Sequence, residues 1–139
     1  MPKRKEKIIK LANDGLMTNG NLSLIDEIFT TDYIAHAGGK DHKGHTFIKR
    51  YVNQLRSAIP DIKVVNVEFW IQENNTIAWQ RTLSGTHHAD MFGIPPTKKK
   101  ITWRDMVISR FEGERIAEEW TVSELAGELL SKRPTRNEE

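Results

Sequence analysis

The chain has 139 residues, with 21 Lys and Arg against 19 Asp and Glu and no cysteine. This length is typical of one domain and allows a core with one modest pocket. The absence of cysteine excludes disulfides, thiolate metal sites and a cysteine nucleophile, and a net charge of +2 argues against nucleic acid as a partner. We expect a single domain over residues 1–139, with an ordered core at about 3–131 and a polar tail at 132–139.

The first half of the chain is predicted to be mainly helical. Apolar residues recur at helical spacing from Lys3 to Thr18 and again from Leu22 to Phe29. A short extended segment is predicted at Tyr33–Ala37. The clearest helical pattern covers residues 45–59, and Pro60 ends it.

After Pro60 the apolar period changes to two, which predicts strands. Residues 65–71 and 77–83 flank the turn at 73–75 and are predicted to form a long hairpin. Two further strands are predicted at 99–111 and 115–122, followed by a short helix at 124–130. Helices followed by long antiparallel strands indicate an α+β fold, with the helices on one face of a curved sheet.

Polar residues interrupt the apolar face of this predicted sheet. Arg81, Asp105 and Glu119 occupy odd positions on three strands, where most other residues are apolar. A buried polar group is costly unless it is paired or has a function. Three interpretations are open: Arg81 and Asp105 form a buried salt bridge, either of them lies at a frayed strand end in water, or a carboxylate in an apolar pocket has its pKa tuned for acid–base catalysis.

His36 is a further candidate for proton transfer, because it ends the extended segment at the expected edge of the pocket. A surface histidine with satisfied hydrogen bonds is the alternative interpretation. The other histidines do not suggest a metal site, since His87 and His88 are adjacent on a strand and point to opposite faces. The sequence has no HExxH, GxGxxG or GxxxxGK motif, so we expect neither a metal nor another cofactor.

The candidate catalytic residues are therefore Asp105, Arg81, His36 and Glu119. The expected ligand is a small apolar or aromatic molecule. The candidate substrate-binding residues are Tyr33, Tyr51, Phe69, Trp79, Met91, Trp103, Val107 and Thr121.

The even-numbered positions of the last two strands predict self-association. Met106, Ile108, Trp120 and Val122 lie on the side of the sheet that faces away from the expected pocket. An exposed apolar sheet face of this size favours a homodimer through the outer sheet face. The alternative is that the C-terminal helix covers these residues.

No apolar run reaches the roughly 18 residues that a membrane-spanning helix needs. The basic first ten residues also lack the apolar stretch of a signal peptide. We therefore expect a cytoplasmic protein without a membrane partner.

Three segments resemble a known family: Ser-Gly-Thr-His at 84–87, Met-Phe-Gly-Ile-Pro-Pro-Thr at 91–97, and the strand pair around residues 109–120. They are similar to the SnoaL-like polyketide cyclases, also called predicted ester cyclases, and weaker similarity extends over residues 5–125. The resemblance implies a nuclear transport factor 2-like, cystatin-like fold. In that fold a cone-shaped, curved antiparallel sheet wraps around a pocket and is capped by N-terminal helices.

The resemblance also implies cofactor-free ring closure of an aromatic polyketide ester by intramolecular aldol condensation. The family's acid–base aspartate and its histidine partner align with Thr121 and Val107, neither of which exchanges a proton near neutral pH. Three hypotheses follow. Asp105 takes over proton transfer in a cyclase, isomerase or hydrolase of a small apolar substrate, with Arg81 or His36 in support. Alternatively, the protein is a non-catalytic, ligand-binding dimer of the same fold, or the resemblance reflects ancestry alone.

Overall fold

The computed structural model describes residues 2–132 of the chain. The helical elements are α1 (Pro2–Leu11), a π-helical continuation (Ala12–Thr18), a 3-10 turn (Leu22–Leu24), α2 (Ile25–Ile28), α3 (Gly44–Ala58) and α4 (Leu125–Lys132). The strands are β1 (Phe29–Ala37), β2 (Lys40–Lys43), β3 (Lys63–Glu73), β4 (Thr76–Thr86), β5 (Lys100–Glu112) and β6 (Arg115–Ser123). Of the tail predicted at 132–139, residues 133–139 lie outside the described part of the chain.

The six strands form one curved sheet in the order β2-β1-β6-β5-β4-β3. The predicted α+β class is confirmed. The sheet is mixed, however, because β1 runs parallel to β6 while the other neighbouring pairs are antiparallel. The expectation of an antiparallel sheet is wrong at this pair. Only strands joined by a tight hairpin must be antiparallel, and most of the chain separates β1 from β6.

Strand β2 has no counterpart in the sequence-based prediction. It follows a turn in which Gly38 and Gly39 both have left-handed backbone angles, with φ of 61° and 76°. Two such residues allow the tight turn that joins antiparallel strands. The strand itself is short and polar, so it carries no apolar alternation by which it could be recognised.

Strand β3 departs from strict alternation at two bulges. One extra residue is inserted at Val65 and another at Trp70, relative to the partner strand β4. Each bulge shifts the following residues with respect to the two faces of the sheet. Val65 and Ile71, which were predicted on the apolar face, are accordingly 50% and 65% exposed.

Two apolar clusters fill the space between the sheet and the helices. The first joins α1, α2 and α3 to the inner face of the sheet around Ile28 and Ile77. The second lies around Leu83 and Trp103 and includes Leu125 and Leu129 of α4. No helix within residues 2–132 is long and apolar enough to cross a membrane.

Because α4 packs into this second cluster, it does not cover the outer face of the sheet. Met106, Ile108, Trp120 and Val122 remain between 40% and 69% exposed. The alternative that the C-terminal helix shields them is therefore wrong for the isolated chain.

Candidate functional site

A cavity of about 750 Å³ opens between the inner face of the sheet and the helices. This volume is typical of small-molecule sites. Its buried wall is apolar and includes Leu16, Met17, Phe29, Ile48, Val52, Trp79 and Val107. Its opening is marked by the exposed lining residues Gly38, Lys40, Gln54, Phe92, Val122, Ser123 and Ala126.

Five of the eight predicted substrate-binding residues line this cavity: Tyr33, Tyr51, Trp79, Val107 and Thr121. The other three do not. Trp103 and Met91 are buried in the second apolar cluster, where they fill the core instead of the cavity wall. Phe69 packs against the first cluster, and the Lys10 ammonium lies 5.8 Å from its ring centroid.

The register of β5 and β6 places a carboxylate on the cavity wall. Val107 lies directly opposite Thr121, and the next pair on the same face is Ser109 opposite Glu119. Val107 and Thr121 are the positions to which the resemblance assigned the histidine and the aspartate. The carboxylate of Glu119 therefore lies one cross-strand pair away from the family position, on the same strand and the same face.

Hydrogen bonds hold the Glu119 carboxyl group from two sides. The Tyr33 hydroxyl donates to Oε1 at 2.7 Å, and the Ser109 hydroxyl donates to Oε2 at 2.5 Å. Ser109 Oγ in turn accepts a hydrogen bond from the Trp79 indole N–H at 2.9 Å. The carboxyl group thus has a defined position at the cavity wall.

Burial raises the pKa of Glu119, although the hydrogen bonds from Ser109 and Tyr33 and the positive charge of Arg81 oppose this effect. Burial also raises the pKa of the Tyr33 hydroxyl well above its ordinary value, and the nearby Glu119 charge adds to the increase. A carboxyl group with a raised pKa beside an apolar cavity is suited to taking up and returning a proton.

Arg81 lines the cavity directly opposite Asp105 in the sheet. Its Nε and Nη2 atoms each lie 2.9 Å from Asp105 Oδ2, and Nη1 donates to Asn13 Oδ1 at 3.1 Å. Burial alone would lower the pKa of Arg81, but the charge and hydrogen bond of Asp105, together with the charges of Tyr51 and Glu119, outweigh burial and the pKa is raised. Arg81 is therefore a permanent cation in the cavity wall.

Asp105 itself is 1% exposed and does not line the cavity. Its Oδ2 atom is occupied by Arg81, and its Oδ1 atom is buried without a hydrogen-bond partner among the described residues. Of the interpretations left open above, the buried salt bridge agrees with this geometry. A ligand in the cavity would meet Arg81 and not Asp105.

Asn13 is the polar residue that sequence analysis missed. It lies in the π-helical segment and is fully buried, and its side-chain amide donates to the backbone carbonyl of Ile9 at 2.8 Å. Such segments are rare and often occur at functional sites. Asn13 follows the buried Ile9 by four residues, and this spacing would have placed it on the inner face of the helix.

His36 lies on the outer face of the sheet, because its neighbours Ala35 and Ala37 face the cavity and strand residues alternate. Its two ring nitrogens lie 2.6 Å from Glu118 Oε2 and 2.6 Å from Asp41 Oδ1. Hydrogen bonds to Glu118 and Asp41 raise the pKa of His36. The structure therefore does not bring His36 together with the other candidate catalytic residues, and the interpretation as a satisfied surface histidine fits it.

Within the described part of the chain, no group of three or more His, Cys, Asp or Glu residues is arranged to hold a metal ion. The ionisable side chains that line the cavity are those of Lys40, His42, Arg81 and Glu119, together with the hydroxyl groups of Tyr33 and Tyr51. Burial raises the pKa of Tyr51 to about 12, so this hydroxyl stays protonated.

The chain is similar to known proteins both in sequence and in fold. The family model described as SnoaL-like polyketide cyclase matches residues 7–130. A solved structure from Jannaschia sp. CCS1, assigned as a SnoaL-like polyketide cyclase, is similar with a TM-score of 0.84 and 15% identity, covering 96% of this chain and 94% of its own. The comparison with curated proteins gives no significant match.

Two Streptomyces structures are also similar in fold. IdmH from Streptomyces antibioticus, assigned as a polyketide cyclase, has a TM-score of 0.78 and 20% identity, covering 92% of this chain and 96% of its own. AclR from Streptomyces galilaeus, assigned as a hydroxylase, has a TM-score of 0.73 and 20% identity, covering 94% of this chain and 98% of its own. At these identities the likeness concerns the fold, which carries more than one assigned reaction.

Replacing Asp105 by Asn is expected to lower the free energy of unfolding by about 3 kcal/mol, because the buried Arg81 cation loses its counter-charge. Denaturant unfolding followed by circular dichroism measures this. The double variant Arg81→Met, Asp105→Leu removes both charges and is expected to be more stable than the single variant. An Asp105→Asn protein as stable as the wild type would contradict a structural role for the ion pair.

His36 gives a prediction about pH. Its pKa is raised in the folded state, so its stabilising contribution is fully present below the unfolded value of about 6.5 and is lost as pH rises through the folded value. His36→Gln should therefore lower the melting temperature clearly at about pH 6 and much less at about pH 9. The exposed His88, changed to Gln, is the control. An equal loss at both pH values would show that the charge of His36 is not the cause.

Proposed function

Because the chain belongs to the SnoaL-like polyketide cyclase family, we propose that it binds a small apolar or aromatic carbonyl compound in the cavity and exchanges a proton with it without a cofactor. The reaction type is aldol cyclisation or isomerisation. The observation that carries this proposal is the Glu119 carboxyl group, fixed by Tyr33 and Ser109 at the wall of an apolar cavity. Glu119 replaces Asp105 as the proposed acid–base residue, because Asp105 does not reach the cavity.

The proposed step conserves the atoms of the substrate. Ionised Glu119 removes a proton from the carbon beside a carbonyl group, and the electrons of the C–H bond move to the carbonyl oxygen as an enolate. The enolate carbon then attacks a second carbonyl of the same molecule, which forms a C–C bond and an alkoxide. Protonated Glu119 returns its proton to that alkoxide, and in an isomerisation it returns the proton to a different carbon.

Arg81 is proposed to stabilise the enolate oxygen. A guanidinium group carries five N–H donors. Three of them are directed to Asp105 and Asn13, which leaves one N–H on each Nη atom. Fixed donors aimed at a developing negative charge are an effective form of transition-state stabilisation. In this proposal Asp105 and Asn13 are positioning residues, which act by holding Arg81 in place.

A second candidate function is ligand binding without turnover. It is favoured by Val107 and Thr121, which line the cavity at the positions of the family's catalytic pair and have no group that exchanges protons. The cavity wall formed by Tyr51 and Trp79 would serve such a role equally well. Proton exchange on a bound probe separates the two functions.

The test uses 2-tetralone, an aromatic ketone with an acidic methylene group, dissolved in D₂O. Proton NMR measures the rate at which that methylene loses its signal. We expect the wild-type protein to accelerate the exchange and Glu119→Gln to reduce the acceleration by about 10²–10⁴-fold, the usual contribution of a general base. Glu118→Gln is the matched control, because Glu118 lies beside Glu119 in sequence but contacts His36 on the outer face.

Exchange at the wild-type rate in the Glu119→Gln variant would contradict the role of Glu119. Binding of 2-tetralone to the wild-type protein without accelerated exchange would favour the non-catalytic function. Binding is followed independently through tryptophan fluorescence, to which Trp79 in the cavity wall contributes.

We also propose that the outer sheet face pairs with a second copy of the chain. Its exposed apolar residues are cross-strand partners, Met106 with Val122 and Ile108 with Trp120, and they form a continuous patch. Ion pairs border this patch on both sides, Arg104 with Glu124 and Arg110 with Glu118. An apolar centre with a charged border that contains both signs is suited to a self-complementary interface.

Light scattering coupled to size-exclusion chromatography tests this association. The wild-type protein is expected to elute with twice the mass of the chain, and Val122→Arg with the mass of one chain. Ile71→Arg on the edge strand β3, also exposed, is the control and should not change the mass. A monomeric wild-type protein at about 100 μM would contradict the dimer, since even a weak homodimer with a Kd near 10 μM is largely assembled there.

A further inference from the structure

The net charge of the cavity wall differs between its inner part and its opening. Glu119 is the acidic residue of the wall, and it lies with the Arg81–Asp105 ion pair at the inner part of the sheet. The basic residue at the opening is Lys40. When Glu119 is ionised, the inner part of the wall therefore carries no net positive charge. The opening carries the positive charge of Lys40, which no acidic lining residue of the described chain balances.

Strand alternation directs Lys40 and His42 into the cavity. Both lie on β2 and line the cavity, whereas Asp41 between them faces outward and bonds to His36. Within the described residues neither Lys40 nor His42 forms an ion pair or a side-chain hydrogen bond. Their donor groups are therefore available to a ligand.

An aromatic wall leads inward from these two residues. The His42 ring stacks on Phe47 with a centroid distance of 4.3 Å and an interplanar angle of 10°. Phe47 in turn stacks near Tyr51 at 6.0 Å and 19°. Flat aromatic surfaces of this kind favour a planar ligand that lies against them.

The register gives the distance between the two ends of the site. Ala35 of β1 is the cross-strand partner of both His42 and Glu119. His42 and Glu119 are thus two strand spacings apart in the same row, which is about 10 Å between their backbones. A planar ligand of two or three fused rings would reach from one to the other.

We propose that the ligand of this cavity is an aromatic carboxylate, bound with its anionic group at the opening against Lys40 and His42 and its carbonyl-bearing end beside Glu119. The reverse orientation would place the carboxylate beside Glu119, where like charges repel, and the charge of the neighbouring Arg81 is already balanced by Asp105. This inference rests on the proposed function, because it specifies the ligand of the same cavity. It makes Lys40 a specificity-determining residue.

The probes are anthraquinone-2-carboxylate and its methyl ester, which share the ring system and differ in charge. Calorimetric titration of the wild-type protein at about pH 7.5 is expected to show tighter binding of the carboxylate. Lys40→Gln should weaken carboxylate binding about two- to fivefold, as for an exposed ion pair, and leave ester binding unchanged. Raising the salt concentration should weaken binding of the carboxylate alone.

The matched control is Lys43→Gln. Lys43 lies on the same short strand and is exposed, but it does not line the cavity. Equal affinities for the two probes, or equal losses in the Lys40 and Lys43 variants, would overturn the inference and leave the proposed function intact. Failure of the wild-type protein to bind either probe would also overturn the inference, and the 2-tetralone exchange assay would then decide the proposed function separately.

Discussion

The buried ion pair between Arg81 and Asp105 is the interaction on which the arrangement of the site depends. It joins β4 to β5, and through Asn13 it also ties the π-helical segment to the sheet. An uncompensated cation inside an apolar wall would be strongly destabilising, so Arg81 can line the cavity only because Asp105 lies behind it. The ion pair therefore allows a permanent positive charge to lie near Glu119 without the cost of an isolated buried charge.

The register of β5 and β6 explains how the position of a catalytic group can shift within one fold. The inner face offers a row of cross-strand pairs, and any of them can carry a polar group toward the cavity. In this chain Val107 and Thr121 are inert, while Ser109 and Glu119 of the next pair form the hydrogen-bonded carboxyl site. In the proposed function, this shift by one pair would place the reacting group two residues further along the strand, about 7 Å away, on the same backbone scaffold.

Much of the fold was predictable because most elements carry strong periodic patterns. Glu119 and Arg81 were also found from the alternation alone, since both interrupt an apolar face. Other features depend on contacts that periodicity does not record. The parallel pairing of β1 with β6 and the outward direction of His36 follow from a long-range register. The two bulges of β3 insert one residue each, and a strict period of two then assigns Val65 and Ile71 to the wrong face.

The two edges of the sheet have a consequence for the behaviour of the protein at high concentration. Exposed edge strands can pair with the edges of other molecules and nucleate aggregation. One edge here is β2, which has four residues and the sequence Lys-Asp-His-Lys, and the other is β3, which is interrupted by two bulges. Short length, charge and irregularity all hinder such pairing. The chain can therefore display Trp70 and Ile71 on an edge strand without offering a regular template for fibril growth.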